Sequence, residues 1–172
     1  MSLKKIFSNK IVVILFSVFA LMMIIGVLVS SYFYYEIQGT HNDEQQTYIN
    51  IALDYSPIET VEKDYAYNGE EDYTVVQGID EDERYYTFVP KKEELNEDDV
   101  EWILEDEGIT EEELISEWRK DCSNCKLLNV TPGIMNDQFI WELIYENENR
   151  MYFRTFLFET GELYDSISFN KN

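Results

Sequence analysis

The chain has 172 residues, with 35 Asp and Glu against 13 Lys and Arg, giving a formal charge of −22 at pH 7. A field of that sign repels phosphate backbones and anionic headgroups, which argues against DNA or RNA as a partner. Aromatic residues make up 15% of the chain and only three residues are Pro, so the chain can bury a core and need not stay disordered.

Residues 1–10 contain Lys4, Lys5 and Lys10 with no acidic residue, and read as a cytoplasmic tail. The run Ile11–Val29 carries no charge, and its 19 residues would reach about 28 Å as a helix, close to the hydrocarbon thickness. A transmembrane anchor over 11–31 is therefore expected. Tyr32, Phe33, Tyr34 and Tyr35 follow and suit the headgroup layer. The positive-inside bias places the N-terminus in the cytoplasm and the remainder outside. A cleaved signal peptide ending near Val29-Ser30-Ser31 is the competing reading, but secretory apolar cores run only about 7 to 15 residues.

Residues 1–31 hold three of the cations and none of the acids, so residues 32–172 carry a formal charge of −25. Such acidity suits a basic partner surface or cations; more simply, it suits solubility in a salty or alkaline exterior.

Residues 32–46 are mostly polar after the aromatic cluster and form a stalk. In 47–90, Tyr48, Ile49, Ala52 and Leu53 recur at helical spacing and stop before Ser56-Pro57. Strands are expected in IETVEKDYAY, DYTVVQG and RYYTFVP, with turns at Asn68-Gly69 and at Ile79 to Glu83. An Asn-Gly turn needs positive φ at both central residues. In 91–172, Val100, Ile103 and Leu104 suggest one helix face, with Gly108 as its stop. Leu114, Ile115 and Trp118 suggest a second helix, opened by a Thr110/Glu113 capping box. KLLNVTP, DQFIWELIYENENR and MYFRTFLFETGELYDSISF supply further strands, with turns at Glu146 to Asn149 and Thr160-Gly161.

The order of helix then strands occurs twice, at a period of about 70 to 75 residues. The expected fold class is α+β: an N-terminal transmembrane helix, then two tandem modules at 47–90 and 91–172, each a helix packed on an antiparallel sheet. Modules of that size have marginal cores and should pack against each other.

Cys122 and Cys125 lie outside the cell on this topology, where a disulfide persists, and are candidates for a structural bridge closing a very short loop. A dithiol oxidoreductase would place such a pair at a helix N-terminus; here the pair follows a helix. Zinc needs two more ligands, and the only histidine is His41 in the stalk. Ser123 and Lys126 match S-x-x-K, but K-T-G and S-D-N are missing. Asp80-Glu81-Asp82-Glu83 lacks EF-hand spacing. No catalytic, cofactor or metal site emerges. The aromatics of YYTFVP and MYFRTFLF fall on both strand faces, so they either close the joint between the modules or form a partner surface, and peptide addition at a sheet edge stays open.

A basic tip, one span, DYTVVQGIDEDERYYTFVP, an acidic connector ending DEG, FIWELIY and YFRTFLFETGELYD, in that order, resemble the TseB-like, YpmB-type family. The resemblance implies two cystatin-like, PepSY-related domains. It also implies a membrane-anchored, non-enzymatic regulator of cell wall elongation that acts through a class B penicillin-binding protein and needs no cofactor. The alternative it leaves is an extracytoplasmic protease inhibitor or propeptide-like chaperone, because PepSY-like modules also accompany propeptides. The family has no catalytic residues to carry over.

Overall fold

The computed structural model describes residues 16, 18, 19, 21–30 and 44–171. The expected cytoplasmic tail, most of the stalk including His41, and part of the expected span lie outside the described residues. The chain divides into two compact units, Met1–Glu44 and Gln45–Asn172. In the first, residues 21–30 are helical with exposed side chains. Among the described residues no helix is long and apolar enough to cross a membrane.

The second unit opens within helix α1 (residues 44–55). Ala52 of α1 is buried with Ile58, Val76, Tyr85, Val89 and Val100, and Tyr48 and Ile49 pack against them. The helix ends where the Ser56 hydroxyl donates to the Ala52 carbonyl (2.6 Å) and Pro57 prevents another turn. Strands β1 (Thr60–Asn68), β2 (Asp72–Asp80), β3 (Glu83–Pro90) and β4 (Glu101–Leu104) follow, hydrogen-bonded in the order β1-β2-β3-β4, all antiparallel.

Helix α2 (Glu111–Asp121) begins at the expected capping box: the Glu113 amide donates to Thr110 Oγ1 (3.2 Å), and the Thr110 amide donates to Glu113 Oε2 (3.1 Å). It buries Leu114 and Trp118. A second four-stranded sheet follows, β5 (Lys126–Met135), β6 (Gln138–Asn147), β7 (Arg150–Leu157) and β8 (Leu163–Asn170), ordered β5-β6-β7-β8. The duplication is visible in detail, because the first strand of each sheet carries a register shift near its start, at Val61/Lys63 and at Leu127/Asn129.

One face of the first sheet packs on α1; the other shares a core with the second sheet and α2. In that core Tyr86 meets Trp141 edge-on (5.4 Å between centroids), Phe88 lies beside Phe139 (5.0 Å), and Trp118 beside Tyr145 (5.2 Å). Trp141 Nε1 donates to the Ile109 carbonyl (2.9 Å), tying β6 to the segment before α2.

Two local expectations are corrected. Val100, Ile103 and Leu104 do not share a helix face: Glu101–Leu104 is β4, flanked by single 3₁₀ turns at Glu97–Asp99 and Glu105–Glu107. The apolar positions 100, 103 and 104 are too few for periodicity to separate helix from strand, and the free edge of β3 decides, pairing Tyr86 with Ile103 and Tyr85 with Leu104. The first sheet thus extends through residue 104. Nor is Asn68-Gly69 a tight turn, since neither residue has positive φ; Gly69 to Glu71 bridge β1 to β2. Two-residue connections lie instead at Asn136-Asp137, with φ of 49° and 57°, and in the expected turns at Glu81-Asp82 and Glu148-Asn149, where Glu81 and Glu148 have φ of 50° and 53°. Gly161, in the expected Thr160-Gly161 turn, does adopt positive φ (68°).

Candidate functional site

Cys122 caps the C-terminus of α2, and its carbonyl accepts the Cys125 amide (3.2 Å). The two Cα atoms are 5.4 Å apart and the sulfurs are joined. Arg119 Nη1 donates to the Cys125 carbonyl (2.7 Å), so α2 and the start of β5 are held by backbone, guanidinium and sulfur together. Ser123 sits in the turn beyond the helix and Lys126 opens β5, where it reaches Glu146 (4.0 Å) on the neighbouring strand. Nothing presents serine to lysine as S-x-x-K chemistry requires.

A chain of polar contacts crosses the upper part of the shared core. Lys63 and Tyr65 of β1 both reach Glu111 Oε2 at the N-terminus of α2 (3.1 Å each). Gln77 Nε2 donates to the Tyr86 hydroxyl (3.1 Å) and to Glu105 Oε1 (3.1 Å), and the Tyr86 hydroxyl donates to the same Glu105 oxygen (3.0 Å). Arg84 closes the series on Glu105 (2.9 Å) and Glu62 (2.6 Å). Burial pushes the Tyr65 hydroxyl up to about 12, and burial with neighbouring Tyr65 and Glu105 raises Tyr86 further still. Both phenols stay protonated at any physiological pH, so they act as hydrogen-bond donors that brace β1, β3 and α2.

Two open clefts stand out, the second of them lined in part by Lys63, Tyr65 and Glu111 of this brace. One, of about 430 Å³, is lined by Glu70, Glu71, Asp98, Asp99, Glu101 and Asp137, with Lys92 as its cation. Lys92 Nζ binds Asp99 (2.6 Å) and holds that carboxyl below its ordinary range, whereas burial and the Asp137 charge raise Glu101. The other, of about 540 Å³, runs between edge strands β1 and β5, with Tyr65 and Ala66 on one side and Leu127 to Thr131 on the other. Among the described residues no three His, Cys, Asp or Glu side chains converge as a metal centre.

Sequence reasoning missed the acidic cleft. Its doublets Glu70-Glu71 and Asp98-Asp99 are plain in the sequence, but their meeting with Asp137 depends on three connections brought together by the packing of the sheets. The aromatics fare differently along the two runs. Tyr85, Tyr86, Phe88, Phe156 and Phe158 are buried, while Tyr152 and Phe153 are partly exposed.

The architecture defines an α+β protein built from two helix-and-meander units fused through one core. Residues 49–90 match the family model of the cell wall elongation regulator TseB-like domain. The match runs from within α1 to the end of β3, and the resemblance to the TseB-like, YpmB-type family stands. The solved YpmB protein from Bacillus subtilis shares the fold, at 22% identity and a TM-score of 0.59, over 71% of this chain and 94% of that one. A lipoprotein-type structure from Clostridium difficile 630 aligns at 14% identity and a TM-score of 0.38, over 70% of this chain and 90% of that one. No curated protein matches the chain by sequence.

Proposed function

We propose that this chain is a membrane-anchored, extracytoplasmic, non-enzymatic regulator of cell wall elongation that works by binding a class B penicillin-binding protein. The observation that carries the reading is the TseB-like domain at 49–90, whose family is one of cell wall elongation regulators. The location rests on the uncharged run Ile11–Val29 behind Lys4, Lys5 and Lys10, which sets the N-terminus in the cytoplasm. The tyrosine-centred brace fits a binding module: its titratable groups are tied up in structural contacts, and the surfaces left over are clefts and strand edges.

The test is crosslinking in intact cells with the full chain, compared with a version lacking residues 36–172. Recovery of a class B penicillin-binding protein with the full chain alone is the expected result. Recovery of a secreted protease in its place would move the function to inhibition or chaperoning, and recovery with both versions would show that the outer region is not the binder.

A further inference from the structure

Each sheet has two edge strands, and three of the four are guarded against pairing with another chain. β1 carries a register shift and the charged run Glu62-Lys63-Asp64. β4 is only four residues long. β5 has its own shift and contains Pro132, which cannot donate to a ladder. β8 has a shift as well, at Tyr164 near its start, but beyond it the strand has neither a proline nor a run of charges. From Asp165 to Asn170 it keeps regular register with β7, and Asp165 is its one charged residue. Its apolar side chains are open to solvent, with Ile167 50% and Phe169 58% exposed. By register Ile167 shares a face with Phe153 and Ile144, and Phe169 with Met151; the Phe153 and Phe169 rings meet edge-on at 5.9 Å. The edge is therefore backed by a continuous apolar strip across three strands.

The charges at its two ends differ in sign. The approach to β8 carries Glu159, Glu162 and Asp165. The far end gathers Lys126, Arg150 and Lys171 around Glu146 and Glu148; Lys171 binds Glu146 (2.7 Å), and Arg150 reaches Asn170 (3.1 Å). An antiparallel copy of the same strand sets each acidic end against a basic one.

We propose that β8 is a self-association edge, pairing antiparallel with β8 of a second copy about a two-fold axis near Ile167, so that β5-β6-β7-β8 continues into the partner's sheet. An isologous contact of this kind matches Ile167 with its own mate and extends the apolar strip on one face. The large negative charge of each copy opposes association at a distance, but at physiological salt it is screened beyond about 8 Å, and the strand at the contact is itself nearly neutral. This inference does not depend on the regulator reading.

The experiment places a photocrosslinking phenylalanine at position 167 of the full chain in its native membrane. The expected product is a species of twice the 20.5 kDa chain mass containing peptides of this chain alone. Replacing both partners of the strip in the same background, Ile167→Glu with Phe169→Glu and the crosslinker moved to Ser168, should lower the yield about tenfold, because the carboxylate at position 167 would then face its own mate and the one at position 169 would face Asp165 across the axis. Both side chains are exposed, so the fold should survive the change. A crosslink to a different protein, no crosslink at normal expression, or an undiminished yield in the double-glutamate chain would each overturn the proposal.

Discussion

The ring of Tyr67 in β1 lies where a side chain on Gly133 of β5 would have to be: a Cβ built there would meet the ring at 2.5 Å. The two residues belong to different sheets, so the closeness of the two modules is set at a position where only hydrogen fits. Gly133→Ala should therefore destabilise the whole second unit by about 1 to 3 kcal/mol, since the buried ring cannot move aside. Thermal unfolding should shift down as one transition. A split into two transitions would show that the sheets do not share a cooperative core.

The same tyrosine supports a prediction of opposite sign. Its hydroxyl is buried with no hydrogen-bond partner among the described residues. Burying an unmatched hydroxyl costs about 1 to 3 kcal/mol, so Tyr67→Phe should leave stability unchanged or raise it. A clear loss of denaturation midpoint would mean that the phenol is satisfied by water in solution.

Glu105 accepts from Tyr86, Gln77 and Arg84, the greatest convergence of the polar brace. Glu105→Ala should cost about 2 kcal/mol, because it strips a charged acceptor from the buried Tyr86 hydroxyl and the half-buried Gln77 amide. Lys120→Ala, which removes an exposed pair with Glu117, should change stability by less than about 0.5 kcal/mol. Urea melts of the two variants side by side would check the ranking, and equal effects would rule out the brace as a stabilising element.

These contacts bear on what could be read in advance. Residues governed by local rules were legible: the Thr110/Glu113 box, the apolar side of α2, the β-rich runs of β2 and β3, and the helix-then-strands repeat. β4 was not, because Val100 to Leu104 is a run whose conformation is settled by the free edge of β3, 13 or more residues earlier in the chain. The Asn136-Asp137 hairpin escaped because Asn-Asp is a weaker turn signal than Asn-Gly, which misled at Asn68. The acidic cleft and the apolar strip behind β8 are products of register and packing, and no short window of sequence contains them.

Cys122 and Cys125 close a loop of four residues, and the loop-entropy account gives such a bridge about 2 kcal/mol. Arg119 and the Cys125 amide hold the same turn independently. Replacing both cysteines by serine should cost no more than that amount and raise amide exchange mainly around residues 121–126, leaving partner binding intact. Loss of binding in that variant, together with a mixed disulfide trapped on a chain that keeps one of the two cysteines, would make the pair a redox site instead.

Glu142 of β6 lies between Thr131 and Thr155, both buried, and burial raises its carboxyl above the ordinary value of 4.5. The folded chain then holds this proton more tightly than the unfolded chain, so stability is greatest below about pH 4.5 for this group and falls as pH rises through the raised value. Glu101 contributes in the same sense, whereas Asp99 and Glu146, lowered by lysine partners, contribute in the opposite sense but are exposed and screened. Glu142→Gln removes the half-buried charge at nearly constant shape. Its thermal midpoint should exceed that of the parent at pH 7 by a few degrees, and the difference should vanish near pH 4. A midpoint gain of the same size at both values would show that the carboxyl is not desolvated in the folded chain.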